Sequence, residues 1–368
     1  ARGDNPLLYP SNNWIEQLIK DYTINSRYNL NMSGGGEKAR YYVAGTYNID
    51  NGVLKMADLN NFNNNVKQRN YNVRSNVDLN LTKTTELAIK VYAQFDDYTG
   101  PIGGGSATFN NAIWSNPVMF PAVYPSSLSP YAKHPLFGNA LTQAEGLFVN
   151  PYAQMVRGYQ ERNTSTVQPQ VEIKQDLNFV VKGLSARLMS YVRRYSDFSM
   201  SRAYNPFYYS ATEQPDGSIG LTLLNGGGAL STGLVGTEYL DYYNNPDGRI
   251  LNSTFYMEAA VNYNRSFAEK HAVSGMLITT MRNYLSGNAN TLQLSLPSRN
   301  QGVSGRATYA YDNKYLAEFN FGYNGSERFA QNSRFGFFPS FGLGYTISNE
   351  NFFKPLSKFI TSMKFRAT

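Results

Sequence analysis

Apolar and polar residues alternate with period two along much of this 368-residue chain. In an extended strand that period sorts side chains onto two faces. From Asn70 to Thr82, Tyr71, Val73, Ser75, Val77, Leu79 and Leu81 share one face. Asn70, Asn72, Arg74, Asn76, Asp78, Asn80 and Thr82 share the other. The stripe recurs in Leu87–Phe95, in Val171, Ile173, Leu177, Phe179 and Val181, in Phe255–Tyr263 and in Tyr315–Tyr323. It predicts twelve strands, near 26–35, 39–50, 70–82, 87–97, 166–182, 184–197, 250–267, 272–284, 302–312, 315–325, 339–348 and 359–368.

The connections alternate too. Short turns fall at Gly35–Lys38, Lys83–Glu86, Lys182-Gly183, Ala268–His271 and Asp312–Lys314, and a longer one at Asn349–Lys358. Between them come long connections rich in Gly, Pro, Asn and aromatics, among which Asn245–Gly248 reads as a turn. A soluble sandwich and an outer-membrane barrel both alternate. Three features favour the barrel. The runs reach the 9–11 residues that a tilted membrane strand needs. The polar face carries Asn, Gln, Ser and Thr where a soluble surface would carry Lys and Glu. Short turns at one end and long loops at the other are the barrel's asymmetry. Tyr41, Tyr42, Tyr71, Tyr311 and Tyr315 are placed to join interfacial girdles. If the short turns are periplasmic, residues 1–25 are an extracellular loop segment, in which Trp14, Ile15, Leu18, Ile19 and Tyr22 have the spacing of a two-turn amphipathic helix.

Composition narrows the chemistry. Charged residues are 16% of the chain, against about 25% in ordinary domains, while aromatics are 14%, with 29 Tyr and 22 Phe. With no Cys and 2 His, disulfides, thiolate sites and multi-histidine zinc sites are excluded, and no metal or other cofactor is expected. The net charge of +7 is dispersed. It gives no support to nucleic-acid binding and suits contact with outer-membrane lipid or lipopolysaccharide. Gly103–Gly105 and Gly226–Gly228 lack the lysine and flanking elements of a phosphate loop.

Gly302–Ser348 then resembles the central barrel stretch of SusC/RagA-type TonB-dependent transporters. The resemblance rests on Gly305-Arg306, Tyr309, Tyr311, Lys314-Tyr315-Leu316, Gly325-Ser326, Arg328-Phe329, Arg334–Ser340 and Phe352–Lys354. Asn29–Tyr47, Tyr71–Asp78, Asn150–Ala153 and Lys182–Ser185 match further segments in order. The resemblance implies an all-β transmembrane antiparallel barrel of about 22 strands. About twelve of them lie in residues 26–368, with the plug domain and the C-terminal strands elsewhere on a longer chain. It also implies import of oligosaccharides or peptides across the outer membrane of a Gram-negative bacterium, and no enzymatic activity. The implied partners are a SusD-like surface lipoprotein, the TonB complex acting through the plug, the rest of the barrel, and a dimer of the transporter–lipoprotein pair. A barrel protease or lipase and a structural or adhesive barrel are the alternatives. An enzyme would need a Ser/His/Asp cluster that two scattered histidines do not suggest.

Loop aromatics Trp114, Tyr124, Tyr131, Tyr152, Tyr208, Tyr209, Tyr242 and Tyr243 are candidate substrate contacts, since Tyr and Trp rings stack on sugars and peptide side chains. Gly325, Ser326, Arg328, Phe329, Arg334, Gly336, Phe338 and Pro339 are expected to shape a loop and restart a strand, Pro339 as that strand's first residue.

Overall fold

The structure, a computed structural model, describes residues 5–229, 231–243 and 249–368; the Asn245–Gly248 turn lies outside them. Twelve strands form one antiparallel sheet, each paired with its neighbour in chain order. They are β1 (Ser26–Gly35), β2 (Ala39–Asn51), β3 (Lys67–Asn80), β4 (Thr85–Gly100), β7 (Gly158–Asp176) and β8 (Leu184–Ala203). The sheet continues through β12 (Ile250–Phe267), β13 (His271–Ser286), β14 (Ser298–Tyr311), β15 (Tyr315–Ser326), β16 (Phe335–Tyr345) and β17 (Phe365–Ala367). The remaining strands belong to loops. β5 (Val123–Tyr124), β6 (Leu136–Gly138), β9 (Tyr208–Glu213) and β10 (Ile219–Leu223) make a separate four-stranded sheet, and β11 (Asp241–Tyr242) adds to β8.

The register sorts the two faces as the alternation requires. Val73, Ala93, Val167 and Arg194 follow one another across β3, β4, β7 and β8, one strand position from Asn72, Gln94, Thr166 and Tyr195. Ion pairs gather on the polar face, as in Lys90–Glu172, Arg187–Glu258 and Arg306–Glu318. The apolar face carries two aromatic rows. Near the long-loop end, Tyr28, Tyr47 and Tyr71 stack at 6.0 and 4.8 Å, and Tyr323 stacks on Phe335 at 5.1 Å. Near the short-turn end, Tyr311, Tyr315 and Tyr345 stack at 6.4 and 5.1 Å. On β15 the rows are separated by the eight residues from Tyr315 to Tyr323. At ~3.3 Å per residue and ~40° of tilt they stand about 20 Å apart, close to the hydrocarbon band of an outer-membrane barrel. No helix among the described residues is long and apolar enough to cross a membrane.

Several expectations are corrected by local chemistry. The run at 166–182 stops at Asp176, because Leu177–Val181 form a turn. The Asp176 carboxylate accepts from the Asn178 amide at 2.7 Å, the Asn178 side chain accepts from Gly183 N–H at 2.6 Å, and Gly183 has φ +90°. Leu177, Phe179 and Val181 therefore leave the stripe. Tyr42 lies on the polar face opposite Asn76, so it is no girdle residue. β16 begins at Phe335, which places Pro339 inside the strand, opposite Phe321. The turn at Asn349–Lys358 holds a 3₁₀ segment, Asn351–Lys358, and within the last run, 359–368, the strand forms over Phe365–Ala367 (β17). The Asp312-Asn313 turn is tight, with φ +52° and +53°, the mirror-type hairpin geometry that suits strand twist.

Candidate functional site

The close-packed core of this molecule lies in the long loops. The described part of the N-terminal segment runs beneath them. Asn13 caps α1 (Trp14–Leu18) by accepting from Glu16 N–H. The helix is one turn shorter than its spacing suggested, because Ile19 turns extended and bridges to Leu54. Trp14 Nε1 donates to the Asn116 carbonyl at 3.1 Å, and Asn12 Nδ2 donates to Phe120 O at 2.7 Å. Trp14, Leu18 and Leu54 then pack with Phe120, Phe137, Met155, Val156 and Tyr208, drawn from two further loops. These contacts join α2 (Gly104–Trp114) and α3 (Pro151–Val156) into a single cap over the long-loop end of the sheet.

Buried asparagines tie the cap's irregular backbone together. Asn150 accepts from Ala153 N–H at 3.0 Å, capping α3, and donates to Ala122 O at 2.9 Å and Gly138 O at 2.8 Å. Asn225 accepts from Tyr208 N–H and donates to Pro206 O and Leu234 O. Asn139 bridges Phe148 N–H and C=O, while Asn64 and Asn65 close the Gly52–Val66 loop. A loop buried without such partners would leave costly unpaired amides.

The eight candidate loop aromatics separate into distinct environments. Tyr124, Tyr208 and Tyr209 are buried in the cap, at 4, 8 and 7% exposure, and Tyr152 packs on the edge of its main core. Burial pushes the Tyr124 hydroxyl up to about 12 and raises Tyr208, Tyr209 and Tyr152 as well. Trp114, Tyr131 and Tyr242 stand free at 85, 96 and 67% exposure. Tyr243 stacks under the Arg157 guanidinium, 4.5 Å from the ring centroid. The eight do not converge on one pocket.

Gly325 and Ser326 end β15, and Arg328 and Phe329 lie in the following eight-residue connection, shorter than the spacing of the stripes suggested. Ser326 N–H donates to Arg334 O at 3.0 Å, and Arg334 Nε donates back to Phe329 O at 3.3 Å. A Cβ on Gly325 would overlap the Phe335 ring, and one on Gly336 would lie 2.7 Å from the Phe338 ring. Phe338 is exposed on the polar face, and Pro339 follows it onto the outward one.

Beneath the cap the polar face forms a concavity of about 760 Å³, between the Gly103-Gly104 start of α2 and strands β3, β4, β7 and β8. Gln68, Gln94, Asp96, Gln160, Arg162 and Tyr195 line it. Its charged groups are hydrogen-bonded within the site. Arg162 grips Asp197 in a two-pronged pair at 2.9 and 2.6 Å, and Tyr195 donates to Asp197 at 3.3 Å. Asp96 accepts from Asn70, from Gln94 at 2.8 Å and from Thr164 at 3.2 Å. The surface left over is amide and hydroxyl, able to exchange hydrogen bonds with neutral polar solutes. Among the described residues no His, Asp and Glu group gathers that could hold a metal. These residues were not singled out from the sequence, although the polar stripe of Asn70–Thr82 signalled the face they occupy.

Comparison with known proteins gives the same picture. No family model matches the chain. It is 25% identical over 380 residues to the TonB-dependent receptor P39 of Formosa agariphila, covering 96% of this chain and 31% of that protein. A 67-residue stretch is 42% identical to the TonB-dependent receptor SusC of Bacteroides thetaiotaomicron, covering 18% of this chain and 7% of SusC. The RagAB peptide transporter superposes with a TM-score of 0.56 at 15% identity, covering 97% of this chain and 38% of that one. The chain spans about a third of the length of the curated receptors that it matches throughout. With its twelve-strand antiparallel sheet, its two girdles and its short-turn and long-loop ends, the chain is similar to a portion of the barrel of SusC/RagA-type TonB-dependent receptors, proteins of the Gram-negative outer membrane.

Proposed function

We propose that the receptor containing this chain imports oligosaccharides or peptides across the outer membrane, driven by TonB. The observation that carries the reading is the amide- and hydroxyl-lined concavity beneath the cap, set on the opposite face from the lipid band. A neutral polar solute entering there exchanges water for Gln, Asn, Thr and Tyr groups, without breaking the Arg162–Asp197 pair. Trp114, Tyr131 and Tyr242 would stack on the solute at the rim, and residues 1–25 would belong to the extracellular side. A SusD-like lipoprotein would cover the cap, in a dimer of such pairs, with the remaining strands closing the barrel and TonB acting on the plug that the family implies. The name RagAB carries, a peptide transporter, fits one of the two substrate classes. The test is uptake of labelled oligosaccharides and labelled peptide mixtures by cells with and without the gene, each repeated with a protonophore. Loss of uptake of one class on deletion, and its arrest by the protonophore, is expected. Unchanged uptake of every solute on deletion contradicts import.

A further inference from the structure

The outward face carries a second concavity, of about 380 Å³, that import does not use. It lies at the long-loop end of β12–β16, beside the girdle pair Tyr323–Phe335, which sets it at the level of the outer-leaflet headgroups. Its floor is apolar: Phe255, Met281 and Phe335. Its upper wall holds two arginines, Arg299 and Arg334. Phe255, Asn283 and Arg299 follow one another in register across β12, β13 and β14, so the groove is built by the sheet and not by a loop alone. Asn283 Oδ1 is buried here without a hydrogen-bond partner. A buried acceptor left unpaired is costly, and it calls for a donor from outside the chain. Arg299 pairs with Glu327 at 3.2 Å, while Arg334 uses only its Nε, on Phe329 O, and has no carboxylate partner among the described residues.

We propose that this groove binds lipid A, the phosphorylated glycolipid of lipopolysaccharide. Its phosphate would sit between the Arg334 and Arg299 guanidiniums, competing with Glu327 for the latter. An acyl chain would lie on Phe255, Met281 and Phe335, and a sugar hydroxyl or acyl-amide N–H would reach Asn283 Oδ1. No protein segment is needed to complete the site, since outer-leaflet lipid is what this face meets. The assignment also gives Gly325 a use: it lets the Phe335 ring lie flat over β15 and form the floor.

The full receptor, stripped of lipid in detergent, is reconstituted in phosphatidylethanolamine nanodiscs. These contain lipid A, phosphatase-treated lipid A or phosphatidylglycerol, and the lipid retained on repurification is quantified by mass spectrometry. The expected result is about tenfold more lipid A retained than its dephosphorylated form, the size of one lost charge-assisted contact. Arg299→Gln should abolish that preference, and Met281→Trp should lower lipid A retention by filling the groove without altering charge. Equal retention of the two lipid A forms overturns the proposal. So does phosphatidylglycerol retained as well as lipid A, or both variants behaving as the parent. Should either variant fail to fold, the phosphatase comparison on the unmodified receptor decides alone.

Discussion

Asn150→Ala tests whether the loops form one packed cap. The side chain is fully buried and makes three hydrogen bonds, to Ala153 N–H, Ala122 O and Gly138 O. Losing the cap on α3 costs about 1 kcal/mol. Each lost donation to a buried carbonyl costs about another 1 kcal/mol, Ala122 O being partly spared because Gly138 N–H also reaches it. The sum is about 3 kcal/mol, or roughly a 150-fold change in an opening equilibrium at 1.36 kcal/mol per decade. Hydrogen exchange of the receptor in detergent reads it directly. Amides around Val123–Tyr124, Leu136–Gly138 and Pro151–Val156 should exchange about two decades faster, with β12–β15 unchanged. Asn150→Asp should be at least as damaging, because it keeps the cap but turns a carboxylate on two carbonyls. An unchanged cap would refute the reasoning. So would acceleration spread evenly over cap and strands, since it would mean that the cap does not open as a unit.

Gly325→Ala forces Phe335 off β15, and at about 1–3 kcal/mol for overpacking it should lower the temperature at which the folded barrel loses its gel mobility. Burial raises the folded pKa of Tyr124 to about 12 and also raises Tyr204, Tyr208 and Tyr209. The stability that these hydroxyls contribute to the cap is therefore fully present below the unfolded value near 10 and is lost as pH climbs towards 12. Absorbance at 295 nm and cap hydrogen exchange should rise together in that window. Alanine at Trp114, Tyr131 or Tyr242 should change stability by less than about 0.5 kcal/mol while raising the half-saturation concentration for uptake about threefold to tenfold, as lost ring stacking requires.

How far each part could be read in advance follows from what shapes it. Lipid on one side and water on the other impose a binary choice at every strand position, so β3 and β4 are written plainly in Tyr71–Leu81 and Leu87–Phe95. Where that constraint lapses, the pattern misleads. Leu177–Val181 alternates like a strand but lies beyond the band, and Asp176 and Asn178 fold it into a turn. The cap was illegible for another reason: its contacts join residues far apart, such as Asn12 and Phe120, and its key side chains are polar yet buried. Tyr208 and Tyr131 are the same residue type in loops of similar composition, and only packing separates the core ring from the exposed one.

The central claim is that one face of this sheet meets lipid and the other a wet lumen. This chain has no cysteine, so single cysteines can be placed along Glu86–Phe95 of β4 in a receptor freed of any cysteine elsewhere and labelled with an environment-sensitive fluorophore in bilayers. Positions 87, 89, 91 and 93 should report an apolar environment quenched by lipid-borne nitroxides, and positions 86, 88, 90, 92 and 94 an aqueous one quenched by iodide. Loss of that alternation, with both sets reporting water, would contradict the account.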